Sequence, residues 1–407
     1  MSEAAFVAFQ DTHERGLFPR VLRGAFARLR QIELGCLEVV LPDGRSLRFE
    51  GAAPGPQAIF RIHSRRFARR LAAGDVGFAD GYIEGEWDSP NVTALLELIG
   101  ANQTLVEKFR AHPFARWTQQ IRHWLRRNTR HGSRRNIHAH YDLGNEFYSA
   151  WLDPSMTYSS GIAVDGDLGA AQSRKYAAIA ATASLEAHHT VLEIGCGWGG
   201  FAEWAAREIG CRVVALTISD AQFRHARERI ARAGLSDKVE IRLQDYRDVD
   251  GSFDRVVSIE MFEAVGEEYW EAFFRVLGER LKPGGRAALQ IITIREDLFD
   301  RYRAEMDFIR HYIFPGGMLP TNAILKSLGA RAGLSLTSDM GYGRDYAETC
   351  RIWRRNFEDA RPRIAQLGFD GRFRRLWAYY LSYCEAGFRV GTIDLRQISF
   401  ALEDATP

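Results

Sequence analysis

The stretch TVLEIGCGWGG, from Thr190 to Gly200, decides how this chain is read. An apolar run enters a glycine-rich turn, which predicts a buried strand, a tight loop and the first turn of a helix. Gly195, Gly197 and Gly200 have the G-x-G-x-x-G spacing that brings backbone N–H groups close to a nucleotide. A side chain there would hold the ligand away, and the turn needs backbone angles that glycine adopts freely. A tight turn without a ligand is the plainer alternative; the strand before it and the helix after it favour nucleotide binding. Glu193 stands two residues before the first glycine. A carboxylate at that place can hold a charged amino group, which S-adenosylmethionine has and a dinucleotide lacks.

The following strand sharpens the choice. It ends Ala215-Leu216-Thr217-Ile218-Ser219, without the acid that a dinucleotide site places on the ribose. Thr217, Ser219 and Gln222 can bond a ribose instead. Asp245 and Tyr246 follow the third strand, where an adenine ring is commonly bracketed, although a tyrosine there reads equally well as core.

From Thr190 onward, strands and helices alternate. Strands are expected over Thr190–Gly195, Cys211–Thr217, Lys238–Leu243, Asp254–Glu260 and Arg286–Ile294. Helices are expected over Gly200–Ile209, Asp220–Ala233 and Glu267–Leu281, the last ended by Pro283-Gly284-Gly285. This rhythm implies a parallel, doubly wound sheet with its ligand at the carboxyl ends of the strands. After Ile294 the pattern is mainly helical to Phe388, with strands at Ser335–Met340 and Leu395–Leu402. That helical insertion leaves the cofactor edge of the sheet and reads as a lid. The first ~100 residues read differently, as a small α+β unit. Leu37–Leu41 and Ser46–Glu50 form a hairpin around Pro42-Asp43-Gly44, Ala58–His63 a third strand, and Ser64–Ala73 and Asn91–Ala101 helices.

Composition bounds the answer. The 407 residues suffice for two or three domains, and 46% apolar with 26% charged residues is the balance of a soluble globular protein. No run reaches the ~18 apolar residues of a membrane span. MSEAAFVAFQ at the N-terminus lacks the pattern of a signal peptide. Cys36, Cys196, Cys211, Cys350 and Cys384 are scattered, which suits a reducing cytosol and neither a disulfide framework nor a metal cluster. The net charge of +2 hides an acid-free stretch from Lys108 to Arg135. In it Trp117, Ile121, Trp124 and Leu125 make one apolar helical stripe among arginines. Such a helix suits an anionic membrane surface or docks on its own protein; no nucleic-acid-reading motif accompanies it.

Several long segments, in order, resemble the cyclopropane fatty acid synthase family of class I methyltransferases. They are HYDLGNEFYSAWLDPSMTYSSG, VLEIGCGWGG, LTISDAQ, QDYRDV, FDRVVSIEMFEAVG, LKPGG, YIFPGGMLP and RDYAETCRIW, between about Arg135 and Leu402. GDVGFADGYIEGEWDSPN resembles, more loosely, that family's accessory domain. The resemblance implies an α/β fold: a doubly wound, Rossmann-like methyltransferase sheet with a helical lid, in residues 126–407, and a small α+β accessory domain in residues 1–125. It implies methylene transfer from S-adenosylmethionine to the cis double bond of an unsaturated phospholipid acyl chain, with bicarbonate as the base. It also implies a cytoplasmic enzyme, peripheral at the inner membrane surface, whose accessory domain docks on anionic membrane or forms a homodimer. No metal is implied. His138 and His140 lack a third ligand at metal-site spacing and read as loop residues.

Carried over residue by residue, Tyr158 and Ser159 should meet the amino-acid end of the cofactor, and Glu193, Gly195, Gly197 and Gly199 should line it. Thr217 and Gln222 should face the ribose and Tyr246 the adenine. Glu263 and Tyr346 match the side chains that hold bicarbonate, and Ile292 a backbone contact to it. Glu263 is preferred over Glu260 on its place in MFEAVG, not on spacing. Cys384 reads as a buried helix residue without an activated thiolate. Ser160 stands where many members have cysteine, and Gln290 where the family has histidine. Glutamine bonds an anion but cannot become cationic, so it would hold bicarbonate less strongly. These departures leave two alternatives: a C-methyltransferase giving methyl-branched or methylene chains, and a lipid-binding protein without catalysis.

Overall fold

The computed structural model describes residues 28–103 and 143–402. The basic stretch Lys108 to Arg135, and His138, His140, Tyr141 and Asp142, lie outside the described residues.

Strand β1 (Leu34–Val40), β2 (Ser46–Glu50), β3 (Ala53–Ile62) and β4 (Trp87–Asp88) form a sheet in the order β2-β1-β3-β4. The expected hairpin joins β1 to β2 antiparallel, and β3 lies parallel to β1 on its other side. The helix expected over Ser64–Ala73 is one α-turn, Phe67–Arg70, and a 3-10 turn to Ala73. Gly74, at φ +67°, ends it and re-aims the chain into α1 (Gly74–Ile83), which periodicity did not reveal. Helix α2 (Val92–Ala101) begins where the Asn91 side chain accepts from the Ala94 N–H at 3.0 Å.

The second sheet has seven strands: β5 (Thr190–Ile194), β6 (Arg212–Thr217), β7 (Val239–Leu243), β8 (Phe253–Ile259), β9 (Leu281–Ile294), β10 (Leu334–Gly341) and β11 (Ile393–Leu402). Their order is β10-β11-β9-β8-β5-β6-β7, the doubly wound arrangement expected. Strands β5 to β9 are mutually parallel, as alternation with helices requires. Strand β11 is antiparallel to both β9 and β10. The reason is the insertion. The chain leaves β10 at the cofactor end, runs through two helices, Gly343–Asp359 and Gly371–Arg389, and returns at that same end, where Ile393 pairs with Ile294.

Helix α3 (Leu168–Thr182) packs behind the sheet, and α4 (Gly200–Trp204) follows the glycine turn and continues as a wider turn to Ile209. Helix α5 (Gly343–Asp359) and helix α6 (Gly371–Arg389) cap the carboxyl ends of the strands. Helix α6 is also the seam to the first sheet. Tyr379 on α6 packs against Tyr82 and Trp87, which belong to a ring cluster with Phe60, Phe67 and Phe78. Arg375 donates to the carbonyls of Tyr82 and Trp87, and Thr93 donates to Glu385 at 3.2 Å. One apolar core therefore runs from the first sheet through α6 to the methyltransferase sheet.

Candidate active site

Strand β5 delivers Glu193 to the carboxyl edge of the sheet. Gly195, Gly197 and Gly199 follow at φ +85°, +53° and +83°. Gly195 has no room for a side chain, since a Cβ would lie 2.6 Å from Met261 Cγ. Gly200 is tight for another reason: a Cβ there would meet the Tyr176 hydroxyl at 2.5 Å. The loop so formed edges a cavity of about 680 Å³.

The first half of the cavity is polar. Tyr158, Ser159, Glu193, Gly195, Gly197, Thr217, Gln222 and Tyr246 all line it; Gly199 does not, and packs on Ala226. Glu193 is buried and its Oε2 has no hydrogen-bond partner among the described residues. Burial pushes its carboxyl up to about 8, against the opposing pull of Lys175 and Arg229. A lone buried carboxylate oxygen at this point suits an ammonium group, so the residues fit S-adenosylmethionine. Thr217 donates to Gln222 Oε1 at 2.9 Å and accepts from the Ser219 N–H at 3.2 Å, which fixes both side chains at the end of β6. The Tyr246 ring stands edge-on to Phe273 at 5.3 Å, held rather than free to stack anywhere.

Past the glycine loop the cavity meets two carboxyl side chains, Glu260 and Glu263. Glu260 Oε1 accepts from the Ser160 N–H at 3.0 Å and from Gln290 Nε2 at 2.7 Å, while Oε2 accepts from the Tyr346 hydroxyl. Gln290 is oriented in turn by Gln397, whose Nε2 donates to Gln290 Oε1 at 2.9 Å. Glu263 Oε1 accepts from the Ile292 N–H, and its Oε2 has no partner among the described residues. Burial, with the neighbouring Glu260, pushes Glu263 up to about 8. Burial also raises Glu260, but Lys175 and its three donors oppose that rise.

Glu260 has a φ of +50°, in the left-handed region that a glutamate adopts at a cost of about 1–3 kcal/mol. The cost is held by its surroundings. Its N–H donates to the Gln290 carbonyl at 2.8 Å, and both carboxylate oxygens are engaged.

The residues expected to hold bicarbonate are therefore brought together, but around a side chain. Three of their donors, from Ser160, Gln290 and Tyr346, serve Glu260, and the fourth, from Ile292, serves Glu263. Ser160 and Gln290 do not line the cavity. A bound bicarbonate would have to displace the Glu260 carboxylate from three of these donors and Glu263 from the fourth. The site does not fit it.

Sequence reasoning missed Lys175 and set Glu260 aside. Lys175 lies on the buried stripe of α3, between Gln172 and Tyr176 and Ile179. Its Nζ donates to Ser159 Oγ and lies 4.7 Å over the Tyr176 ring. Burial lowers its amine to about 7, with Glu260, Asp153 and Glu193 pulling the other way. A lysine on the apolar face of a helix was the signal available. Cys384 lies in α6, but it is half-buried and lines the cavity rather than being buried as expected; desolvation pushes its thiol up.

Residues 128–398 match the family described as mycolic acid cyclopropane synthetase. The chain belongs to that family. It is 39% identical to the tuberculostearic acid methyltransferase UfaA1 of Mycobacterium tuberculosis over 89% of this chain and 86% of that one. It is 34% identical to the cyclopropane-fatty-acyl-phospholipid synthase of Escherichia coli over 87% of this chain and 90% of the other. Among solved structures, the mycolic acid cyclopropane synthase CmaA1, complexed with SAH and CTAB, superposes with a TM-score of 0.62 at 29% identity, covering 66% of this chain and 98% of its own. The family member described here is an S-adenosylmethionine-dependent methyltransferase of the lipid-modifying kind. No described helix is long and apolar enough to cross a membrane.

Proposed function

We propose that this enzyme methylates the cis double bond of an unsaturated acyl chain in a membrane phospholipid and closes a cyclopropane. The observation that carries the reading is one continuous cavity with two characters. Its polar end holds the unpartnered Glu193 carboxylate. Its other end is lined by apolar groups that reach into the first sheet, among them Leu37, Phe60, Phe67, Phe78 and Leu95. An acyl chain fits such a passage, and its double bond can lie between the glycine loop and the two carboxylates.

S-adenosylmethionine, when bound, supplies an electrophilic methyl group. Glu193 is assigned to its ammonium, Tyr158 and Ser159 to its amino-acid end, Thr217 and Gln222 to the ribose and Tyr246 to the adenine. The chain's own part is alignment and exclusion of water, because an alkene is a poor nucleophile and must be held close to the methyl. The cation left on the acyl chain faces aromatic rings, Tyr346 stacked on Phe388 at 4.3 Å among them. Residues 1–125 are proposed to receive the far end of the acyl chain and to dock on an anionic bilayer, placing the enzyme at the inner membrane surface.

A second reading, a methyl-branched or methylene product, is favoured by the 39% identity to a tuberculostearic acid methyltransferase. Release of S-adenosylhomocysteine with vesicles of unsaturated phosphatidylglycerol, and none with saturated vesicles, tests the shared step. No release with either would return the chain to the lipid-binding alternative.

A further inference from the structure

We infer that Glu260 is the proton acceptor of the reaction, a carboxylate built into the chain at the place where a bound bicarbonate would otherwise be held. The inference rests on the methyl-transfer reading above and adds the identity of the base.

Four observations converge on it. Glu260 lines the cavity beside the glycine loop: its neighbour Met261 is the residue that crowds Gly195. Its carboxylate is gripped by a backbone N–H, an amide and a phenol from three separate segments, 100, 30 and 86 residues away in sequence. Such a grip favours the anion and fixes its direction. The backbone at Glu260 is in the left-handed region, a conformation retained by a glutamate only where the surroundings over-determine it. And the second carboxylate differs: Glu263 has one donor, an unpartnered oxygen and a carboxyl pushed up to about 8. Burial raises both acids, but three donors hold Glu260 and one holds Glu263, so they take different roles, Glu260 as the base and Glu263 as the protonated neighbour.

The step balances as follows. The alkene pair forms a bond to the methyl carbon while the carbon–sulfur bond breaks, and S-adenosylhomocysteine leaves. The acyl chain then carries the positive charge. Glu260 takes one proton from the new methyl, and that C–H pair closes the three-membered ring. The proton leaves Glu260 for solvent as product departs. Alkene and sulfonium thus give cyclopropane, thioether and one proton, with no oxidant or reductant.

The test compares wild type with Glu260→Gly and Glu260→Gln in buffer stripped of carbon dioxide, with and without added bicarbonate. Glycine adopts the backbone angle of this position freely, so Glu260→Gly keeps the loop while emptying the anion position. Ring formation on unsaturated phosphatidylglycerol vesicles, followed together with S-adenosylhomocysteine release, should be the same for wild type in both buffers. Glu260→Gly should be slower by about a hundredfold or more without bicarbonate, the scale of a lost general base, and should recover with it. Glu260→Gln should be as slow and should not recover. A wild type that stops without bicarbonate, or variants that keep its rate, would overturn the proposal. Carbon NMR of isotopically labelled bicarbonate gives a readout without turnover. Glu260→Gly should broaden the signal and wild type should not; broadening by wild type overturns the assignment of the position to Glu260. Silence of wild type in both buffers would instead sink the methyl-transfer reading, and the NMR result would still decide who occupies the position.

Discussion

Gln290 Nε2 donates to Glu260 Oε1 at 2.7 Å, and the Glu260 N–H donates back to the Gln290 carbonyl at 2.8 Å. The residue that follows β8 is thus locked to the middle of β9 through both its backbone and its side chain. Gln397 on β11 fixes the amide from behind. The residue that departs from the family's histidine is therefore part of a consistent network, in which an amide orients a carboxylate.

Replacing Gln290 by Met should keep the volume and remove that bond. A hydrogen bond to a charged group is worth about 1.5–3 kcal/mol. The turnover number should fall about tenfold to a hundredfold, with KM for S-adenosylmethionine unchanged, because the cofactor end of the cavity is untouched. Steady-state kinetics check the split; a change confined to KM would place Gln290 elsewhere in the mechanism.

Glu193→Gln removes the carboxylate assigned to the cofactor's ammonium. Its Oε2 is buried and unpartnered, so the substitution breaks no bond to that atom in the free protein. Affinity for S-adenosylmethionine, measured by titration calorimetry, should weaken about tenfold or more, with the thermal midpoint of the unliganded protein held or raised. Equal affinity in the variant would remove Glu193 from the cofactor site.

Gly195→Ala and Gly197→Ala separate contact from conformation. Both positions have positive φ, which costs an L-residue about 1–2 kcal/mol. Only at Gly195 does the new Cβ also collide, with Met261. Gly195→Ala should lower the thermal midpoint more than Gly197→Ala. Equal losses would mean that Met261 moves aside freely.

Asp75 lies at the seam between the sheets, accepting from the Phe308 N–H at 2.8 Å and from the Tyr383 hydroxyl at 3.2 Å. Burial, then the nearby Asp307, raises it from 3.8 to about 6, while those two donors and Arg301 pull it down. The folded state therefore binds this proton more tightly than the unfolded chain. Its contribution to stability is complete below pH 3.8 and is lost as pH rises through about 6. Asp75→Asn stays neutral throughout. Its thermal midpoint should gain on wild type between about pH 4 and about pH 8, and parallel curves would contradict the assignment.

Much of this was legible in the sequence because it is local. The turn after β5 declares itself through glycine spacing, and the strands around it through short apolar runs. The antiparallel pair β10 and β11 was legible as two strands, but its direction was not, since direction depends on where the inserted helices return the chain. Helix α1 was hidden because Val76, Ala79, Tyr82 and Ile83 bury nearly all its sides, leaving no amphipathic stripe. The grip on Glu260 was hidden for a different reason. Its donors come from segments far apart in the chain, and its left-handed backbone leaves no mark in a sequence. Lys175 did leave one, a charge on a buried helical stripe.

The proposed reaction moves a carbon from S-adenosylmethionine to an acyl double bond and closes a ring. Proton and carbon NMR of unsaturated phosphatidylglycerol vesicles, incubated with the enzyme and methyl-labelled S-adenosylmethionine, tests it most directly. Upfield ring signals should carry the label, with one S-adenosylhomocysteine for each ring formed. Labelled methyl or exocyclic methylene signals without ring signals would contradict ring closure, and an unlabelled lipid would contradict the account altogether.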